Sequence, residues 1–159
     1  MRWLVVVMLA ACGGDGDDGG TGGDAPLSAN TMAKQICVTE TNKDRATIGK
    51  PALQESATLE AYADVGAMQD FSTQPHDHFS TTQGGGIAFA ENECPQQGNW
   101  QLSFGNGDLG MTVAACVKAF FDEGPGGGHY DNMMSSNTML GCGIYVEGQK
   151  LTIVQDYGN

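Results

Sequence analysis

The segment Gly124–Gly143 constrains this chain more than any other. It reads Gly124-Pro125-Gly126-Gly127-Gly128-His129-Tyr130-Asp131-Asn132-Met133-Met134 and, after a polar spacer, Gly141-Cys142-Gly143. Glycine reaches backbone conformations and permits close approaches that a Cβ forbids. An imidazole behind such a run reads as placed for a purpose rather than as core filling. Tyr130, Met133 and Met134 suit a short buried turn, and Gly141-Cys142-Gly143 suits the opening of a strand.

At 159 residues the chain suits one compact domain plus an appendage, and 40% apolar residues suffice for a core. The formal net charge is −12 and no basic stripe is present, which argues against nucleic acid as a partner. The appendage is N-terminal. Met1-Arg2-Trp3 precedes the apolar run Leu4–Ala11 and then Cys12, the pattern of a secretory signal. The run is too short to span a bilayer as a helix. Leu9-Ala10-Ala11-Cys12 resembles the bacterial lipobox, which implies lipidation of Cys12 and cleavage before it. Residues 1–12 are therefore expected to be a lipoprotein signal peptide. The exported protein would be lipid-anchored to a cell membrane, facing the periplasm or the cell exterior. Gly13–Asp24 contains only Gly, Asp and one Thr, with no DxDxDG loop and distal Glu for calcium. Residues 13–29 are expected to be a flexible linker, and 30–159 the folded domain.

Helical spacing of Met32 and Ile36 predicts a helix over Thr31–Ile48, stopped by Gly49 and Pro51. Ser56 is placed to cap a second helix, Ala57–Phe71, with Leu59, Tyr62, Ala63 and Gly66 on one face. Ser72–Gly86 reads as loop, and Ile87–Glu93 as a short extended piece. Trp100, Leu102 and Phe104 alternate like a strand or an anchored loop. Asp108 or Thr112 caps a third helix, Met111–Glu123, with Val113, Cys116, Val117, Phe120 and Phe121 on its core face. Met139–Val146 and Leu151–Gln155 form an antiparallel hairpin around Glu147–Lys150. This order predicts an α+β domain with helices on a small antiparallel sheet.

Four cysteines remain in the domain: Cys37, Cys94, Cys116 and Cys142. An exported chain can form disulfides, and four cysteines allow three pairings. Cys94–Cys116 with Cys37–Cys142 is the preferred set, its first bridge closing the shorter loop. Chemistry-bearing candidates are His76 or His78, Glu91, Glu123 and His129. Two imidazoles and two carboxylates can ligate a transition metal such as zinc, or can hydrogen-bond one another in a polar cleft. Glu123 stands at a helix C-terminus, where the dipole disfavours an anion, which suggests a partner for it. No HExxH, GxSxG or P-loop pattern occurs.

These residues resemble the motifs of the CAP superfamily, also called SCP/TAPS, which includes cysteine-rich secretory, venom antigen-5 and plant pathogenesis-related 1 proteins. Asn42-Lys43-Asp44-Arg45 resembles HNxxR, with Thr41 at the His position. Ala90-Glu91-Asn92 resembles GEN, and Phe120-Phe121-Asp122-Glu123 resembles WxxE with Phe for Trp. Gly128-His129-Tyr130 with Gly141-Cys142-Gly143 resembles GHY…GCG, with Ser135 where Trp is usual. Tyr157-Gly158-Asn159 resembles a compressed YxPxGN, and the likeness spans about Asn30–Asn159. The family's last-strand cysteine is missing, with Gln155 and Asp156 in that region.

The resemblance implies a three-layer α-β-α sandwich. It implies a cleft with two His and two Glu, falling here on His78, Glu91, Glu123 and His129, with His76 as the alternative to His78. The cleft would hold a divalent cation such as zinc. The expected function is a non-catalytic, lipid-anchored binding module for a lipid, sterol or protein. A metal-dependent hydrolase or protease, with Glu91 or Glu123 as general base, is the alternative, as is an adhesive surface module.

Overall fold

The computed structural model describes residues 27–159. The expected signal peptide with Cys12, and all of the linker before Leu27, lie outside the described residues. The elements run α1 (Ala29–Thr47), β1 (Gln54–Glu55), α2 (Ala57–Ser72), α3 (Asp77–Thr82), β2 (Ala90–Cys94), α4 (Leu109–Asp122), α5 (Gly128–Met133), β3 (Met139–Glu147) and β4 (Lys150–Gly158). Short 3-10 turns occupy Gln83–Gly86, Gln96–Gly98 and Leu102–Gly105.

The helix starts follow local capping chemistry. The side chains of Ser28, Ser56 and Asp108 accept from the backbone N–H groups of Thr31, Leu59 and Met111. The first helix thus starts inside the stretch expected to be linker. Its buried line is Ala33, Cys37, Thr41 and Arg45, spaced by four, while Met32 is largely exposed. Of the apolar positions whose spacing predicts the helix, Ile36 packs against the core and Met32 does not, and three of the buried positions, Lys34, Thr41 and Arg45, are polar. Three further expectations change. The loop Ser72–Gly86 contains α3. The alternating Trp100-Leu102-Phe104 segment is a 3-10 turn beside a single bridge from Gln101 to Lys150. The turn expected after the glycine run is the short helix α5.

The four strands lie in the order β1-β3-β4-β2. β3 and β4 form the expected hairpin, in register from Met139↔Gly158 to Glu147↔Lys150, and β2 adds antiparallel to β4. β1 joins β3 in parallel, so the sheet is mixed rather than antiparallel. Two residues suffice for this pairing because Gln54 N–H donates to Thr138 O and Ser56 N–H to Leu140 O.

Alternation along β3 sorts the layers. Gly141 and Gly143 face α2, where a Cβ on either would fall on the α2 backbone at Leu59–Glu60 or Ala63–Asp64. Leu140, Cys142 and Ile144 face the other way, into the main core with Cys37, Val113, Cys116, Val117, Phe120 and Met133. α2 thus covers one face and α1, α4 and α5 the other, which is the three-layer α+β arrangement expected. The disulfides are Cys37–Cys142, tying α1 to β3, and Cys94–Cys116, tying β2 to α4. Loops of this kind, with separations of 105 and 22 residues, contribute roughly 3–5 kcal/mol each in the chain-entropy view.

Asn42 and Arg45 are structural clamps. Asn42 exchanges two hydrogen bonds with the backbone of Leu53, at 3.0 and 2.7 Å. The Arg45 guanidinium donates to the carbonyls of Pro51, Met133 and Ser135. Thr41, at the family's His position, accepts from Gln155 Nε2 at 2.7 Å, and Gln155 Oε1 accepts from Tyr157 Oη at 2.6 Å. Two of the departures from the family pattern, Thr41 and Gln155, therefore satisfy each other.

The Gly143 contact predicts a specific outcome. Gly143→Ala forces α2 off the sheet and lowers stability by about 1–3 kcal/mol or more. Gly128→Ala, where a Cβ meets nothing within 4 Å, stays within about 0.5 kcal/mol of the parent. Urea unfolding of the two variants checks this.

Candidate metal centre

Strand β2 alternates like any strand. Its Asn92 and Cys94 turn toward α4 and α5, so Glu91 and Glu93 turn toward α2 and α3. Glu91 lies directly opposite Asp156 of β4. Above them, α2 carries Gly66 and Asp70. A Cβ on Gly66 would stand 3.2 Å from His78 Nδ1, so the glycine makes room for that imidazole, and it would touch Glu91 Oε2 at an ordinary 3.9 Å. The chain enters α3 through His76, a non-glycine residue at φ +62°, a conformation that costs on the order of 1 kcal/mol. Two carboxylates hold it there. Its N–H donates to Glu93 Oε2 at 2.6 Å, and its Nδ1 lies 2.8 Å from Glu91 Oε1. The next imidazole, His78, packs on Tyr62 with ring centroids 4.4 Å apart, and its N–H donates to Asp70 Oδ1 at 2.8 Å.

Among the described residues, His76, Glu91 and Glu93 form the one group of three or more His, Cys, Asp or Glu with donor atoms all within 4.8 Å of one another. Asp70, Glu91, Glu93 and Asp156 are all buried, and no Lys or Arg among the described residues forms a salt bridge to them. Burial raises Asp156 to about 9, with the charges of Glu91 and Asp70 adding to it. Burial likewise raises Glu93 to about 7 and Asp70 to about 6, each opposed by one backbone N–H, from His76 and His78 respectively. His76 is raised by its hydrogen bond to Glu91, against its own burial. Glu91 Oε2, Glu93 Oε1, Asp70 Oδ2, both Asp156 carboxylate oxygens and His78 Nδ1 lack hydrogen-bond partners. One imidazole and two carboxylates with bare inward oxygens fit a divalent cation.

Glu123 and His129 belong to the opposite layer and pair with each other. His129 Nδ1 is 2.5 Å from Glu123 Oε1, and His129 N–H donates to Glu123 Oε2 at 3.0 Å. That is the partner expected for a carboxylate at a helix C-terminus, and it holds Glu123 below its usual range. Gly127 is required for the approach, since a Cβ there would stand 2.5 Å from Glu123 Cβ and 2.8 Å from Glu123 Oε2. Phe120 covers the imidazole, centroids 4.6 Å apart. The two groups communicate through backbone. Asn92 Nδ2 donates to His129 O and Asn132 Nδ2 to Glu91 O, both at 3.0 Å.

The four residues carried over from the family thus divide. Glu91 sits with His76 and Glu93, and Glu123 with His129. His76 rather than His78 bonds to Glu91, because α3 turns the His78 ring under α2. Glu93 and Asp156 were absent from the sequence-derived set. The alternation of β2 places Glu93 beside Glu91 once that strand is recognised, whereas Asp156 needs the β2–β4 register.

These raised carboxyl groups set the sign of a pH dependence. Unfolded carboxyls titrate near about 4. Between that pH and about 9 the folded state holds more protons than the unfolded one, so unfolding free energy falls as pH rises. With chelator present, denaturant titrations from about pH 5 to 9 should show this decline. In Asp156→Asn the decline should end near about pH 7, the range of Glu93; a flat or rising parent profile contradicts the assignment.

Comparison with known proteins agrees with this fold. The model of the CAP cysteine-rich secretory protein family matches residues 38–157. No curated protein matches the chain. The crystal structure of NaASP2 with Zn2+, a hookworm ASP protein, is similar with a TM-score of 0.59 at 19% identity, covering 84% of this chain and 83% of that one. Na-ASP-1, also a hookworm ASP protein, is similar with a TM-score of 0.59 at 15% identity, covering 85% of this chain. This chain covers only 40% of Na-ASP-1. With most of its length matched and the three-layer fold in place, this chain belongs to the CAP, cysteine-rich secretory protein, family.

Proposed function

We propose that this protein is an exported, non-catalytic CAP-domain binding module that holds a divalent cation, with zinc as the leading candidate, on His76, Glu91 and Glu93. The convergence of three donor atoms within 4.8 Å carries the reading. Buried carboxylates without a counter-charge are costly, and a cation here offsets Glu91, Glu93 and the neighbouring Asp156 together. Imidazole nitrogen and carboxylate oxygen are ordinary zinc donors, and NaASP2, of similar fold, crystallised with Zn2+. A bound ion supplies fixed positive charge at the cleft. The chain's own residues orient the donors. Glu93 fixes His76 through its N–H, Asn132 fixes Glu91 through its carbonyl, and Asp70 seats α3 through His78. The Glu123–His129 pair positions α5 against β2 on this reading, rather than completing the ligand shell.

Export is supported by the family description and by two disulfides, which suit an oxidising compartment. Attachment to a membrane through Cys12 is part of the proposal and rests on the lipobox-like sequence. The bound partner is a lipid, sterol or protein ligand, as the family resemblance implies.

Zinc at about 100 times its Kd is expected to stabilise chelator-stripped protein by about 2.7 kcal/mol. The effect should vanish in His76→Ala and in Glu93→Gln and persist in His129→Ala, as read by thermal unfolding. An unchanged melting temperature in the parent removes the metal reading. Loss in His129→Ala with retention in His76→Ala moves the site to the other pair.

A further inference from the structure

A second site, independent of the acidic cleft, lies where α1 ends. Gly49 at φ +73° reverses the chain, with Gly49 N–H donating to Ala46 O and Lys50 N–H to Arg45 O. The reversal brings Lys50 and Pro51 back over Arg45. There Arg45 Nε donates to Pro51 O at 2.9 Å, and Nη1 to Met133 O at 2.6 Å and Ser135 O at 3.3 Å. One side chain thus fixes both walls of a cavity of about 430 Å³, formed by Lys50–Ala52 and Gln54 on one side and Ser135–Thr138 on the other.

Its charge is the opposite of the molecule's. The chain carries −12 overall, yet no Asp or Glu lines this cavity. Among the described residues Lys34, Lys43 and Lys118 each have a carboxylate partner, whereas Arg45, Lys50 and Lys150 have none. Two of those three unpaired cations meet at this one cavity. Arg45 is 2% exposed, and burial lowers its pKa. Its acceptors are all carbonyls, which satisfy N–H groups without cancelling the charge. Nη2 has no acceptor among the described residues, and it is not among the buried polar atoms left without a partner. Nη2 is therefore not fully enclosed, and Arg45 is one of the residues lining the cavity. Hydroxyl and amide donors of Ser135, Ser136, Asn137 and Thr138 complete the lining.

We propose that this cavity binds a compact organic oxyanion of the phosphate-monoester class, held by Arg45 and Lys50. The one free guanidinium nitrogen, Nη2, offers a charge-assisted donor to a phosphate oxygen, and the Lys50 ammonium adds a point charge. The volume exceeds that of a bare phosphate, and Pro51 with Ala52 give an apolar wall for the organic group.

The test is titration of the purified protein with inorganic phosphate and with phenyl phosphate, followed by amide NMR. Phenyl phosphate is expected to bind with a Kd on the order of 1 mM and to shift the amides of Lys50 and 135–138. Binding by phenyl phosphate alone places the recognition in the ester, and equal binding of both places it in the oxyanion; either supports the site. Arg45 also anchors the fold, so the decisive variants are exposed ones. Lys50→Glu and Ser136→Asp should each weaken binding by about tenfold or more. Addition of zinc should leave the affinity unchanged, which separates this site from the metal reading. Absence of shifts with either probe, or binding undiminished in both variants, overturns the proposal.

Discussion

The seating of α2 directly on β3 is the contact the rest of the structure depends on. Gly141 and Gly143 have no side chains to hold the helix away, and the helix backbone occupies that space. On the reverse side of the same strand, Cys142 is bonded to Cys37 of α1. One tripeptide therefore fixes both outer layers against the sheet. α2 meets the sheet largely through Ala63, Ala67 and Gly66, and the larger apolar core lies on the α1–α4 face. The thin α2 interface is what brings Gly66 and Asp70 close enough to β2 and β4 to enclose a group of acids.

That group is a conflict of burial with charge. Asp70, Glu91, Glu93 and Asp156 come from three separate elements, and among the described residues only His76 stands within ion-pairing distance of any of them. Burial raises Glu93 and Asp156 well above the ordinary carboxyl range, so bound protons offset part of that cost. A cation would replace that arrangement with a better one. Arg45 is the mirror case: a buried positive charge that has only carbonyl partners and faces a cavity free of carboxylates. The same physics, a buried charge without its complement, underlies both proposals.

Much of this was legible in the chain. The helix cap at Ser56, a cap at Asp108 or Thr112, the β3–β4 hairpin and the α+β layering follow from local chemistry or from the family motifs, whereas the cysteine pairing was a preference among three that the structure settled. The buried face of α1 was not legible from apolar spacing, because Thr41 and Arg45 are buried through specific hydrogen bonds. α3 was hidden in a polar stretch whose helical turn depends on His76 being held at positive φ by Glu91 and Glu93. The parallel strand β1 was hidden because two residues carry no periodicity.

By itself the sequence determined which residues exist to be buried, bonded or charged: the glycines of β3, the four domain cysteines, and the supply of His and Glu. Only the tertiary structure decided who meets whom. His76 rather than His78 faces Glu91, Asp156 lies opposite Glu91, and Lys50 returns to Arg45. These outcomes rest on strand register and on single backbone turns, where a shift of one residue sends a side chain to the opposite face. Composition carries no information about that choice; only the packed chain does.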